Sequence, residues 1–346
     1  MPLGTSMMDI DVVVIGSGIS ALKALYVAKL YNRNALAVDV HGGDGGYIQL
    51  LDGEDAVAKA PLFIDLDEAD FLHSLGIDVK CYEVKHNVLK SGNYVLKTVG
   101  FIDIDVQMNW FTRWLNSNKL CFDVELFAKL KKSYEFPTYR PIHSVANIRK
   151  IDVEKKILAL STGTIIKYSK IVYTWPLELL PQNLYPNSIK NIIEQFLNQL
   201  ELKYVSLYIY TTLAKSIESK ENLITIYTHA TKASKIHTAI ALHLHNKKIM
   251  YTATSYTKQH PLIPGIREKI VSELKKHRIT NSIDALKKHY TNITYGLLNK
   301  INENILKELE QLLENHDIIL FGRIAQWREK TIKEILTDKT IEQKIA

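Results

Sequence analysis

Cysteine is nearly absent: Cys81 and Cys121 are the only two in 346 residues. A pair so spaced makes neither a disulfide framework nor a metal-ligand cluster. That excludes a cysteine-stapled scaffold and a zinc module, and a reducing cytoplasm is the expected compartment. Long apolar runs are missing as well. None approaches the roughly 18 residues needed to cross a bilayer, so no transmembrane helix is expected. The leading Met-Pro-Leu-Gly-Thr-Ser-Met-Met has neither a basic region nor an apolar core and does not read as a signal peptide; Met7 or Met8 is an alternative start. There is no internal repeat, no low-complexity stretch and no recognisable nucleophile or acid–base pair. Neither sign of charge dominates: 44 Lys and Arg against 37 Asp and Glu leave +7. The excess is scattered in short clusters (129–132, 275–278, 287–288) that read as solvated faces, so no nucleic-acid partner is expected. A basic pocket for a phosphorylated or carboxylated substrate is compatible with it.

What is present is a globular composition, 46% hydrophobic and 23% charged, in a chain long enough for two interleaved domains. The strongest signal lies near the front. Val12-Val13-Val14-Ile15 reads as a buried strand, Gly16-Ser17-Gly18 as a tight turn, and Ile19-Ser20-Ala21 as the first turn of a helix running to Tyr31. A second apolar run, Ala35 to Val40, carries Asp39, 23 residues after Gly16. This order of strand, G-x-G-x-x-A turn, helix, strand and acid binds the ADP half of a dinucleotide. Gly16 permits the sharp turn, and Gly18 admits the close approach of a pyrophosphate. Ala21 is small enough for helix–strand packing. The helix N-terminus offers N–H groups and a positive dipole end to the phosphates. Asp39 can accept hydrogen bonds from a ribose diol.

Further along, Asn109-Trp-Phe-Thr-Arg-Trp114 reads as a packing cluster, with a substrate pocket or a membrane-facing edge as the alternative. Between Ile236 and His245 the pattern alternates. His237, Ala239, Ala241, His243 and His245 share one face, expected to be the wet face of an antiparallel sheet. His243 and His245 lack a third ligand, so no metal is expected. Asn299 is the expected cap of an amphipathic helix ending at Asn315.

Asp39 is followed by Val40-His-Gly-Gly-Asp-Gly45-Gly46. A Gly-Gly pair at this distance past the acid resembles the glutathione-reductase-type FAD proteins. The resemblance implies that Gly45 and Gly46 let the loop pass close to the ribitol phosphate. That family carries an Arg two residues before the pair, where this chain has Gly43. Near the far end, Asp317-Ile-Ile-Leu-Phe-Gly322-Arg323 reads as a strand returning to the first domain, with Trp327 four residues beyond Arg323. This end is similar to the UDP-galactopyranose mutase and protoporphyrinogen oxidase-like branch of the FAD-dependent amine oxidase superfamily. The middle, from Ser144 to Trp175-Pro176-Leu177, is similar to the same branch and implies Val145 as an adenine contact. Of the aromatic pair that the mutase-like proteins carry before their last helix, Tyr295 is what survives.

The resemblance implies an α/β fold: a Rossmann-like FAD/NAD(P)-binding domain, a parallel sheet with helices, interleaved with a mixed α+β substrate domain. The implied segments are a βαβ start (1–60), a flavin-covering segment (61–135), a return to the FAD domain (136–180), a substrate domain (181–298) and a final return (299–346). It implies FAD as cofactor. The implied cofactor-binding residues are Gly16, Ser17, Gly18, Ile19, Ser20, Ala21, Asp39, Val40, Gly45, Gly46, Val145, Gly322 and Arg323. Tyr295 and Arg328 are the candidates for catalysis, with Trp327 beside them on the flavin or substrate side. The implied activity is a FAD-dependent oxidoreductase acting on a small-molecule substrate. Two alternatives stand beside it: a non-redox flavoenzyme of the UDP-sugar mutase type, and an inactive FAD-binding or assembly protein. A homo-oligomer is compatible with all three.

Overall fold

Val12, Val13, Val14 and Ile15 are β-branched and apolar without alternation, which suits a strand covered on both faces. In the computed structural model they end β1 (Met7–Ile15) and are at most 1% exposed. The structure describes residues 7–39, 58, 60–135, 142–143, 148–214, 220–244, 247–280 and 285–346. The chain divides into two units: Met1–Gly46 with Phe127–Leu202 and Lys300–Ala346, and Tyr47–Leu126 with Lys203–Asn299. The crossings fall at 46/47, 126/127, 202/203 and 299/300; those expected from sequence are 60/61, 135/136, 180/181 and 298/299.

In the first unit β1 leads through α1 (Ile19–Leu30) to β2 (Ala35–Asp39). Its other strands are β5 (Ile142–His143), β6 (Ile148–Asp152), β7 (Ile157–Leu160), β8 (Ile165–Tyr173), β9 (Leu184–Tyr185) and β15 (Ile318–Leu320). The order β5-β2-β1-β8 is parallel throughout, and β15 adds to the carboxyl half of β8. The front half of β8 pairs with the antiparallel β7, β7 pairs in turn with the antiparallel β6, and β9 lies beside β6. Register aligns the strand ends. Ile15 stands opposite Val38 and Tyr173, and Tyr173 opposite Leu320. The loops that leave β1, β2, β8 and β15 therefore open on one carboxyl edge, where sheets of this kind bind ligands.

The small residues Ala21, Ala24 and Ala28 bring α1 close to Val12, Val14, Ala37, Val172, Ile319 and Phe321. The C-terminal α9 (Ile332–Thr337) and α10 (Thr340–Ile345) join this cluster through Ile335, Ile341 and Ile345. Lys23 on α1 is 5% exposed and is neutralised by Glu342 of α10 at 2.9 Å. The unit also holds α6 (Asn187–Leu200), α8 (Glu303–Glu314) and most of α5 (Leu126–Ser133). The cap of α8 is Asn302, three residues past the expected Asn299. Its side chain accepts from the N–H groups of Asn304 and Ile305.

The second unit is a sheet in the order β14-β10-β13-β12-β11-β3-β4. Its strands are β3 (Lys80–Lys90), β4 (Lys119–Phe122), β10 (Tyr204–Ala214), β11 (Leu223–His229), β12 (Thr238–Leu244), β13 (Lys247–Tyr256) and β14 (Ala285–Leu298). Its helices are α2 (Leu66–Ser74), α3 (Tyr94–Thr98), α4 (Trp110–Asn116) and α7 (Ile266–Lys276). One face packs Leu207, Ile209, Ile240, Leu242 and Tyr251 with Phe63, Phe111, Trp114 and Phe122. The 109–114 stretch is thus a packing cluster: Asn109 caps α4, and the Trp114 indole donates to the Phe63 carbonyl oxygen at 2.8 Å.

The opposite face corrects an expectation. Ala239, Ala241 and Met250 lie beneath Ile266, Ile270 and Leu274 of α7, so this face is covered rather than wet. His237 is 1% exposed, and burial first, with the Lys97 charge second, pushes its imidazole down to about 3. His243 is half-buried, and His245 lies outside the described residues.

A second correction concerns the cysteines. Cys81 and Cys121 form a disulfide, although their sequence separation of 40 suggests no pairing. They stand directly opposite each other on antiparallel β3 and β4. The Cys121 N–H and C=O both pair with Ile64 on the other side, at 2.8 and 3.0 Å. Cys81 and Cys121 are therefore a non-hydrogen-bonded pair, the position where opposed side chains come closest.

Candidate cofactor-binding site

At the carboxyl edge of the first unit two glycines, Gly16 and Gly322, sit where a side chain would clash. Gly16 has φ +127°, and its N–H donates to the Val38 carbonyl oxygen at 2.9 Å. A Cβ there would stand 2.0 Å from Thr174 Oγ1. Thr174 has no room to give way, since its N–H and hydroxyl donate to the Ile15 carbonyl oxygen at 3.0 and 2.7 Å. Gly18 is different. It is the N-cap of α1 with an ordinary φ of −83°, and a Cβ on it would meet nothing within 4 Å. No side chain caps this helix, and no acidic residue stands in its first turn. A helix N-terminus with no side-chain cap offers N–H groups and a positive dipole end, a setting that favours phosphate.

Asp39 ends β2 and is 5% exposed. The Ser17 hydroxyl, in the turn after β1, donates to its Oδ2. From the far end of the chain, Gly322 follows β15 and Phe321 with φ +94°. A Cβ on it would fall 2.2 Å from Ser20 Oγ and 2.7 Å from Ser20 Cβ, so the closing strand delivers bare backbone against the first turn of α1. Gln326 pins that turn. Its Oε1 accepts from the Gly322 N–H at 3.2 Å, and its N–H donates to the Gly322 carbonyl oxygen at 3.0 Å. Gly16 to Ala21, Asp39 and Gly322 are thus brought together.

Other candidates are engaged elsewhere in their own surroundings. Arg323 makes a two-pronged ion pair with Glu329, Nε to Oε2 at 2.8 Å and Nη2 to Oε1 at 2.7 Å. Arg328 reaches α8, with Nη1 2.8 Å from Glu310 Oε1 and Nε 3.0 Å from Glu303 Oε2. Burial opposes its charge, but the bonds and fields of Glu303 and Glu310 prevail and raise its pKa. Trp327 is fully buried at φ +49°. Tyr295 belongs to the second unit, 6% exposed on β14, its ring centroid 4.6 Å from that of Tyr204. Val40, Gly45, Gly46 and Val145 lie outside the described residues. Among the described residues no group of three or more His, Cys, Asp or Glu could hold a metal ion, and no helix is long and apolar enough to cross a membrane.

Thr174, Gln326 and Glu329 escaped the sequence reasoning. Their roles depend on β8 lying beside β1 and on the turn after β15, and no local pattern announces either.

No family profile and no curated protein matches the sequence. Solved structures match over nearly their whole length. A reduced UDP-galactopyranose mutase has a TM-score of 0.69 at 12% identity, covering 97% of this chain and 94% of that one. A CLA-producing fatty acid isomerase from P. acnes has a TM-score of 0.67 at 9% identity, covering 96% and 97%. A wild-type putrescine oxidase bound to putrescine has a TM-score of 0.65 at 10% identity, covering 98% and 99%. At such identities the likeness is one of fold: the chain shares its fold with these enzymes.

Proposed function

We propose that this chain is an FAD-dependent oxidoreductase of the amine oxidase and protoporphyrinogen oxidase-like kind, acting on a small-molecule substrate. The observation that carries the proposal is the meeting of Gly16, Gly18, Ser20 and Gly322 at one sheet edge. The residues there fit the adenosine diphosphate half of the cofactor. Open space beside Gly18 and the uncapped N-terminus of α1 suit the pyrophosphate. The buried Asp39 carboxylate suits the ribose diol.

Bound there, the flavin supplies hydride or electron transfer. The chain's own residues hold and orient. The N–H groups and dipole of α1 offset phosphate charge, Asp39 grips the ribose, and Ala21 keeps α1 against the sheet. Gly45 and Gly46 would admit the ribitol phosphate, and Val145 the adenine, as the resemblance implies. A mutase-like activity, which the fold match to UDP-galactopyranose mutase favours, needs cationic side chains to grip a sugar-nucleotide pyrophosphate. Arg323 and Arg328 instead direct their guanidinium groups at Glu329, Glu303 and Glu310, which favours redox chemistry.

The test is the visible absorption spectrum of the purified protein, with the released cofactor identified by mass. Stoichiometric FAD that is bleached by an amine, porphyrinogen or polyene donor supports the proposal. A colourless protein that takes up no added FAD overturns the cofactor assignment. Bound FAD that no donor reduces overturns the redox assignment.

A further inference from the structure

The residue between the two glycines of the turn has no prescribed side chain: the turn needs Gly16 and the phosphates need Gly18. This chain places a hydroxyl there and buries it. Ser17 is 7% exposed and Asp39 is 5% exposed. The Ser17 hydroxyl donates to Asp39 Oδ2 across 22 residues of sequence, tying the loop after β1 to the last residue of β2. The backbone under both ends is fixed, because Gly16 N–H donates to the Val38 carbonyl oxygen at 2.9 Å and Ile15 stands opposite Val38.

We infer that Ser17 is a positioning residue: its hydroxyl presets the Asp39 carboxylate for the ribose diol of an adenosine diphosphate moiety. The inference rests on the dinucleotide site proposed above. A buried carboxylate needs hydrogen-bond donors even before a ligand arrives. Ser17 supplies one of them in a bond to a charged acceptor, the stronger kind. The same bond restricts the two side-chain torsions of Asp39, so that less conformational freedom is lost when the diol binds. Ser17 acts through Asp39 and needs no contact with the cofactor.

The experiment is calorimetric titration of the full-length chain, freed of flavin, with ADP and with 2′,3′-dideoxy-ADP. Ser17→Ala should weaken ADP binding about tenfold, the worth of one hydrogen bond to a charged group. It should leave the dideoxy compound unaffected, because that ligand has no diol. Ser17→Thr, which keeps the hydroxyl, should restore ADP binding. Ser17→Cys, which keeps the shape but donates weakly, should show the same selective loss as alanine. In an Asp39→Ala background the Ser17→Ala change should add nothing. Equal losses for both ligands would mean that Ser17 serves the phosphates or the fold, and would overturn the inference. So would unchanged ADP affinity in Ser17→Ala. A wild-type chain that binds neither ADP nor FAD is a separate failure, that of the dinucleotide site itself.

Discussion

Reducing the Cys81–Cys121 bond should cost the second unit about 4 kcal/mol. The bond closes a loop over a sequence separation of 40. For a loop of that length the chain-entropy account gives about 13 cal/mol/K, or about 4 kcal/mol at room temperature. The loop contains most of β3 together with α3 and α4, and α4 carries Phe111 and Trp114 into the core. On the native side little changes, since Cys121 is fully buried and a thiol there packs as a small apolar residue. The effect therefore acts on the unfolded chain, which regains the freedom the bond removes. Against a net stability of roughly 5–15 kcal/mol for a domain, this is a large share. The assay is urea unfolding of the Trp175→Phe, Trp327→Phe chain, oxidised and after phosphine reduction, followed through Trp110 and Trp114 of the second unit. Thiol titration of the unfolded, unreduced protein should find no free cysteine. Two titratable thiols, or coincident unfolding curves for the oxidised and reduced chains, would refute the reasoning.

The glycines of the site should separate by role. Gly16→Ala, with its Cβ 2.0 Å from Thr174 Oγ1 at φ +127°, should destabilise by more than about 2 kcal/mol in denaturant unfolding. Gly18→Ala, at φ −83° in open space, should leave unfolding of the flavin-free chain unchanged while lowering flavin content. His237 should make stability pH-dependent. Its folded pKa is about 3, whereas an unfolded histidine titrates near 6.5, so between these values the unfolded chain binds a proton the folded chain refuses. Stability is then full above about pH 6.5 and falls toward pH 3 by up to about 1.4 kcal/mol per pH unit. Urea midpoints for His237→Gln should show a flatter slope than wild type over this window, and parallel slopes would count against the assignment. Arg328→Ala should cost about 2 kcal/mol in thermal unfolding, because Glu310, with a side chain 14% exposed, loses its cationic partner and keeps, among the described residues, only the Gln326 amide at 3.4 Å. Loss of turnover without loss of stability would instead make Arg328 catalytic.

The front of the site was legible because its parts are local. From Gly16 to Asp39 each task maps onto one residue type at one spacing, and the strand–turn–helix order can be checked in the same stretch. Gly322 was found only by resemblance. Its contact with Ser20 depends on the three-residue β15 docking on β8, which no periodicity reveals. Arg323 shows the limit of residue type. An arginine after a glycine turn suggests an anion site, but Glu329 engages its guanidinium. The alternation separated Ile240 and Leu242 from Ala239 and Ala241, but it failed at Ile236, which precedes β12 and packs with Ala239 and Ala241, and it said nothing of what covers each face. The apolar Ala239 and Ala241 on the histidine face were the available sign that a helix lies over it. The disulfide was hidden because it depends on the register of β4 against β3, a long-range pairing.

The placement of Gly322 also bears on how the cradle is stabilised. Ser20 and Gly322 lie about 300 positions apart, so the first turn of α1 takes its final surroundings only once the C-terminal segment has docked. That segment is tied down at several points. Glu342 neutralises the buried Lys23 at 2.9 Å, Arg33 donates to the Ala346 carbonyl oxygen at 2.6 Å, and Lys170 donates to the Lys344 carbonyl oxygen at 2.5 Å. Pairing so distant in sequence is slow to form and carries a loop-closure cost that local contacts avoid. A ligand that bridges the α1 N-terminus and Asp39 binds only the assembled edge, and its binding free energy adds to the stability of the state in which both ends of the chain have come together. Under the proposed function, cofactor binding and closure of the first unit are one linked equilibrium. On that reading, substitutions in α9 and α10, whose Ile335, Ile341 and Ile345 pack in one cluster with α1, act on the same equilibrium as substitutions at Gly18 or Asp39.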